Sequence, residues 1–401
     1  MNPAHDAVPL EFSPVEDRAR VLANAEAQAR ERGYHRFPIV DVDAHHFELD
    51  SWERIVPYIE HPTVRRRAEQ MGRTRGFFLV PPILGDQLVA GRIKRRLSPE
   101  EPLPGVLHEL ERFEREMRQL GVRYSFVFPT SILSLGLHPQ QEVENAIAWA
   151  YARWLTEEVL PRSEVVRAML YLPFGDPDAS LRMVERFADC RGVVGWMVTS
   201  LRHQPAHHNR YVPLYAAIEA TGMPLAFHPL YSWQERALEP VDRFLGVHAL
   251  GFPLSNMVHL TNLVVHGIPE RFPGIRFVWM ECGVAWIPYL MLRLDNEYLM
   301  RRSEAPSLER KPSETMRGFY YATQPLEWGD DLRYLEALFD LCRGATQFLW
   351  ASDYPHWDFD LPSRIYDLPF LSEEEKRDIL GGNALRIFPV EAPPAAGAPG
   401  P

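Results

Sequence analysis

The chain has 401 residues, 46 % of them hydrophobic and 24 % charged, an ordinary globular composition with enough apolar matter for a substantial core. A net charge of −11 argues against a nucleic-acid partner, and no apolar run approaches the ~18 residues of a membrane span. Cys190, Cys282 and Cys342 are far apart and odd in number, which excludes a metal knuckle or an obvious disulfide set and suits a reducing cytoplasm.

Residues 1–35 are polar. They lack a basic flank followed by an apolar stretch, so no signal peptide is expected. Within them, "EDRARVLANAEAQARERG" reads as a helical extension stopped by Gly33. Strand one follows as "FPIVDVDAH". The long piece over 49–104 exceeds an ordinary strand-to-helix loop and reads as an insertion over the mouth of the fold, a lid. Seven further strands are expected at "RYSFVFPTS", "RAMLYLPF", "VVGWMVTS", "PLAFHPL", "IRFVWMECG", "FYYATQ" and "QFLWASDYP". Helical segments such as "LERFEREMRQLG" and "VPLYAAIEATG" lie between them and end in glycine. Eight strands alternating with helices over 36–390 predict a (β/α)8 TIM barrel, an α/β fold. The competing open doubly wound sheet would need a glycine-rich phosphate loop after strand one, and "DVDAHHFE" contains no glycine. The tail over 391–401 is rich in Pro, Ala and Gly and is expected to be disordered.

Strand one raises the chemical question. Residues i and i+2 of a strand share a face, so Asp41, Asp43 and His45 point one way. If that way is inward, Asp43 and His45 reach the C-terminal mouth, where barrel enzymes keep their chemistry. A carboxylate and an imidazole two residues apart can bind one divalent metal. Taken singly, this stretch reads equally as a hydrogen-bonded cap, His228 as a satisfied core histidine and Asp353 as a cap. All three signals fall at the same end of strands one, five and eight, which favours one metal held by all of them.

The stretches "DVDAHHFE", "LAFHP", "GIPERFPGIRFVWMECGVAWIPYLMLRLD", "ASDYPH" and "ILGGNALRIF" resemble the amidohydrolase superfamily over roughly 37–388. The likeness is to amidohydrolase family 2, the branch of aminocarboxymuconate-semialdehyde decarboxylase-like and γ-resorcylate decarboxylase-like proteins. The resemblance implies a distorted barrel and one divalent metal, with Asp43, His45, His228 and Asp353 as ligands by position. Zinc is the expected ion. An Asp-x-His pair in place of the common His-x-His makes a harder site, so manganese or iron is also credible. The family decarboxylases carry a histidine after strand six in an H-x-G setting, where this chain has Glu281-Cys282-Gly283. Glu281 is therefore a candidate acid/base group or extra ligand, against a plain strand-end carboxylate. Binuclear relatives bridge two metals with a lysine after strand four, but the only lysines are Lys94, Lys311 and Lys376, so the site is expected to be mononuclear. Arg202, His203, Trp233 and His356 would line the mouth and meet a small, flat, anionic or aromatic substrate. Glu48 is a candidate hydrogen-bond partner to a ligand. His259, His266, His207 and His208 read as helix-face or loop residues.

The working expectation is a cytoplasmic metal-dependent hydrolase, in which metal-bound water loses its proton to Asp353. The alternatives are a non-oxidative decarboxylase or hydratase of an aromatic or enoic acid and, from another class, a non-catalytic binding protein. The partners expected are a small-molecule substrate and, as an open alternative, further copies of the chain as a homo-oligomer.

Overall fold

The structure, a computed structural model, describes residues 18–75, 106–199, 204–230, 236–329 and 331–390. All eight expected segments form strands: β1 (Val40–His46), β2 (Tyr124–Pro129), β3 (Val166–Tyr171), β4 (Val193–Thr199), β5 (Leu225–His228), β6 (Phe277–Trp279), β7 (Tyr320–Ala322) and β8 (Phe348–Leu349). They pair in parallel in chain order from β1 to β8. Parallel neighbours cannot be joined by hairpins, so each connection carries helices across the outside. The result is a nearly closed (β/α)8 barrel, and the open-sheet alternative falls. Almost every strand residue is buried, as expected of strands packed between a filled interior and a shell of helices.

The longer helices are α1 (Arg18–Glu31), α2 (Pro62–Arg75), α3 (Val106–Leu120), α4 (Gln141–Trp154), α5 (Pro177–Phe187), α6 (Val212–Thr221), α7 (Phe244–Val265), α8 (Trp286–Arg301) and α9 (Leu332–Cys342). Their ends follow local chemistry. Asp176 caps α5 by accepting from the backbone N–H of Asp178 and Ala179. Gly121 and Gly222, at φ of 80° and 66°, stop α3 and α6. The N-terminal helix α1 packs on α3, where Arg18 and Glu116 pair at 3.7 Å. Residues 76–104 of the expected insertion and the expected disordered tail (391–401) lie outside the described residues. Among the described residues, no helix is long and apolar enough to cross a membrane.

The barrel closes where the chain after β8 runs back beside β1. Val42 N donates to Trp350 O at 3.3 Å, Asp353 N to Asp43 O at 2.8 Å, and His45 N to Tyr354 O at 2.6 Å. The Asp41 side chain locks this seam. Its Oδ1 accepts from Ser352 N at 2.9 Å and Asp43 N at 3.2 Å, and its Oδ2 from Ser352 Oγ at 2.5 Å. Ser352 Oγ in turn accepts from Tyr354 N at 2.9 Å. β1 carries a register shift between Asp41 and Ala44 in its pairing with β2. Such a bulge re-aims side chains, and here Asp41 serves the seam while Asp43 serves the mouth. Behind β1, the "ILGG" turn presses so close that a Cβ on Gly381 would collide with Pro38 O.

Ser352→Ala leaves Asp41 Oδ2 and Tyr354 N without their buried partner. The unfolding free energy from chemical denaturation should fall by about 1–3 kcal/mol. An unchanged midpoint would mean that the seam does not depend on this hydroxyl.

Candidate metal centre

Six side chains singled out from the sequence converge at the C-terminal mouth: Asp43, His45, His228, Glu281, Asp353 and His356. His45 Nε2 lies 3.4 Å from Asp43 Oδ1, 3.4 Å from Asp353 Oδ1 and 3.2 Å from His228 Nε2. His228 Nε2 lies 3.6 Å from Asp43 Oδ1 and 3.3 Å from Glu281 Oε2. Asp43, His45, His228 and Asp353 are essentially without solvent exposure.

The fold aims these atoms at one another. The Nδ1 of His45 faces Pro129 O at 3.2 Å, and that of His228 faces Pro229 O at 3.0 Å. A proton held at each Nδ1 by its carbonyl leaves both Nε2 lone pairs directed at the cluster, as metal-bound histidines require. Asp353 is held from both sides: His356 Nδ1 is 2.7 Å from Oδ1, and Gln324 Nε2 donates to Oδ2 at 3.3 Å. Thr130 Oγ1 lies 3.3 Å from His356 Nε2 and fixes that ring in turn. Two carboxylate positions use backbone that non-glycine residues rarely adopt, with φ of 43° at Glu281 and 59° at Asp353.

The electrostatics call for a cation. Neither oxygen of buried Asp43 accepts a hydrogen bond. Among the described residues, Asp43, Glu281 and Asp353 have imidazoles but no arginine or lysine as ion-pair partners. Burial pushes Asp353 well above the usual carboxylate range, and the charges of Glu281, Asp358 and Asp43 add to that. Burial does the same to Glu281, reinforced by Asp43 and Asp358. Burial also opposes ionisation of Asp43, but His228 and His45 bring it below the ordinary range. His45 is itself lowered, by burial first, against the pull of Asp43. Donors on one ion with bonds of ~2.1 Å stand about 3.0–3.5 Å apart, and the distances above fall at or close to that range. Asp43, His45 and His228 could share an ion, as could His45, Asp353 and His356. Each of these triads fits one divalent metal, and His45 belongs to both.

Arg202, His203 and Trp233 lie outside the described residues. Glu48 binds no imidazole of the cluster. It accepts from the backbone N–H of Thr130 and Ile132 at 2.9 and 2.7 Å, holding the loop after β2, and burial brings its carboxyl up to about 7. His259 packs on Phe227 beneath α7, and His266 stacks on His207 with ring centroids 3.5 Å apart, so neither joins the cluster. Sequence reading missed Gln324, Thr130 and the pair His248–Asp358, whose Nε2 and Oδ2 are 3.7 Å apart beside Trp357. Gln324 and Thr130 carried a faint signal, since each follows the end of a strand. His248 carried none, being one residue within the long apolar helix α7.

A protein-family model described as Amidohydrolase matches residues 40–390. The chain belongs to the amidohydrolase family. It is 24 % identical over 279 residues to γ-resorcylate decarboxylase of Polaromonas sp. strain JS666, covering 65 % of this chain and 82 % of that one. Its fold is similar to that of 5-carboxyvanillate decarboxylase from Sphingomonas paucimobilis, with a TM-score of 0.65 and 19 % identity over 88 % of this chain and all of that one. It is also similar to a dihydroxybenzoic acid decarboxylase from Polaromonas sp. JS666 with bound manganese and the inhibitor 2-nitroresorcinol (TM-score 0.62, 17 % identity, 88 % and 96 % coverage). These relatives are decarboxylases. They favour the decarboxylase alternative over the hydrolase expectation, and manganese in a neighbour gives no support to zinc.

Chelator dialysis should lower the melting temperature, because it uncovers buried carboxylates that have no other cation. Returning Mn2+ at a hundredfold excess over its Kd should restore about 2.7 kcal/mol of stability. Identical melting curves with and without chelator, on protein shown to carry no metal, would remove the metal from the account.

Proposed function

We propose that the protein is a metal-dependent decarboxylase that removes the carboxylate of a small hydroxylated aromatic acid without oxidation. The ligands in this reading are Asp43, His45, His228 and Asp353, with manganese favoured by the hard Asp-x-His pair and by the manganese in a structural neighbour. The observation that carries the reading is Asp353. It is a fully buried carboxyl 3.4 Å from His45 Nε2, held at Oδ1 by His356 and at Oδ2 by Gln324.

Decarboxylation of an aromatic ring needs a proton on the carbon that bears the carboxylate before the C–C bond breaks. A divalent ion held by Asp43, His45, His228 and Asp353 would supply positive charge to the anionic substrate. Asp353 carries the proton and delivers it to the ring carbon. The C–C electron pair then returns to the ring, carbon dioxide leaves, and Asp353 remains as a carboxylate. Gln324 and His356 keep that carboxylate in place between turnovers. His356, with its side chain 16 % exposed against 0 % for Asp353, connects Asp353 to solvent for reprotonation. Phe128, 5.2 Å from the His228 ring, and Phe47, 6.2 Å from His356, give a flat substrate aromatic neighbours. Arg202, His203, Trp233 and His356 remain the proposed contacts to the substrate.

The test is carbon dioxide release from metal-loaded protein offered 2,6-dihydroxybenzoate and 5-carboxyvanillate-type acids, beside a panel of amides. Carbon dioxide without amide cleavage is expected, and the reverse result would reinstate the hydrolase. Asp353→Asn should lower kcat by ~10²-fold or more, because an amide can still donate to a metal but cannot deliver the proton. His356→Ala should lower kcat more than it raises KM, because His356 holds Asp353 and connects it to solvent for reprotonation. Near-parent turnover by Asp353→Asn with full metal would assign the proton to another group.

A further inference from the structure

Helices α7 and α8 pack against each other in the shell, and their outer faces are apolar. α7 runs for 22 residues, Phe244–Val265, without one Asp, Glu, Lys or Arg. Its two histidines do not serve the outer face, since His248 pairs with Asp358 and His259 packs on Phe227. Leu245, Leu250 and Val258 are exposed instead, from 50 % at Val258 to 80 % at Leu245. α8 adds Tyr289, Leu292, Leu299 and Met300, exposed at the three- and seven-residue intervals of one helical face. A single exposed leucine needs no explanation. The concentration does: of ten large apolar side chains exposed among the described residues, seven lie on these two helices. Val265 and Leu294 line one groove between the helices and join the two stripes. The acids and bases of α8 are partnered within the chain. Arg293 pairs with Glu297 at 2.7 Å, and Asp295 accepts from Ser313 N and Oγ at 2.9 and 2.8 Å. A helix that is apolar on its outer side as well as its inner side is ordinarily covered.

We infer that the outer faces of α7 and α8 form a two-fold interface between copies of this chain. Area supports it. At roughly 100 Å2 each, the seven side chains expose about 700 Å2, above the largest apolar patch of a typical monomer and near the ~800 Å2 that each partner gives to a standard interface. Charge selects a second copy as the occupant. The chain carries −11, so two copies repel wherever their acidic surfaces meet. The α7 face holds no charge to oppose its own image, and a two-fold axis lays such a face on itself. The interface also has a route to the mouth of the barrel. On the inner side of α7, Asn256 Nδ2 donates to Met280 O at 3.0 Å and to Cys282 Sγ at 3.1 Å, the residues on either side of Glu281. Covering the outer side of α7 therefore steadies the backbone that presents Glu281. The inference stands apart from the metal and from the reaction.

The experiment is sedimentation velocity of the full-length protein from nanomolar to tens of micromolar concentration. The variants are Leu250→Asp on α7 and Leu292→Asp on α8, with Tyr334→Asp on α9 as the control, an exposed side chain off the patch. The parent should sediment at no less than twice the 46.3 kDa of one chain. Each patch variant sets a carboxylate against an apolar surface or its own copy, so it should dissociate at least ~100-fold more readily. Tyr334→Asp should keep the parent mass. Circular dichroism checks that each variant is folded. Where a patch variant is not, hydroxyl-radical footprinting of the parent decides: oxidation of Tyr289 and Met300 should fall as concentration rises, and that of Tyr334 should not. A parent that keeps the mass of one chain at every concentration overturns the proposal. So do folded patch variants that associate as the parent does, and so does footprinting of Tyr289 and Met300 that is indifferent to concentration.

Discussion

Everything chemical in this protein depends on the seam where the segment after β8 runs beside β1. β8 itself contributes only Phe348 and Leu349, too little to close a barrel alone. Closure comes from the following residues, which bond to the backbone of Val42, Asp43 and His45 while Ser352 is clamped by Asp41. The same bonds that close the barrel carry Asp353 to Asp43 and His45. Stability and site geometry therefore share their parts. Asp41 is one of them: its carboxyl is buried and raised to about 7, by burial first and against its own hydrogen bonds, because the fold needs an acceptor there.

The mouth is built against electrostatic preference. Asp43, Glu281 and Asp353 gather in a deeply buried region, where like charges repel strongly. Two of the three also sit in left-handed backbone. Such costs are typical of sites that bind or react, and they are offset elsewhere by the helical shell and the filled barrel. A cation reverses the sign of the problem, turning repulsion among carboxylates into shared attraction. The neutral pairings around the cluster, Pro129 O with His45 and Pro229 O with His228, add no charge and serve only to aim the rings.

How far the primary structure reaches depends on the distance over which its signals act. The strands were legible because short β-branched and aromatic runs between glycine-stopped helices are local patterns. Asp43, His45, His228 and Asp353 were legible as chemistry because they recur at one kind of place, the end of a strand. The bulge in β1 was not legible. It separates Asp41 from Asp43 in role, although a regular strand would aim both alike. Gln324 was only faintly legible and His248 not at all, because an amide after β7 and a histidine in a long helix look ordinary until folding puts them beside Asp353 and Asp358.

The chain by itself determined the alternation of strands and helices, the parallel order that follows from it, and the supply of carboxylates and imidazoles at strand ends. These are properties of neighbours in sequence, set by periodicity, turn chemistry and residue type. Only the tertiary structure decided which of those groups meet. It brought residues 43, 45 and 228 together, set 353 beside 45 and 281 beside 228, turned Asp41 into a clamp and gave Asp353 two holders. Contacts between residues some three hundred positions apart are fixed by closure of the barrel, and no local pattern encodes that closure.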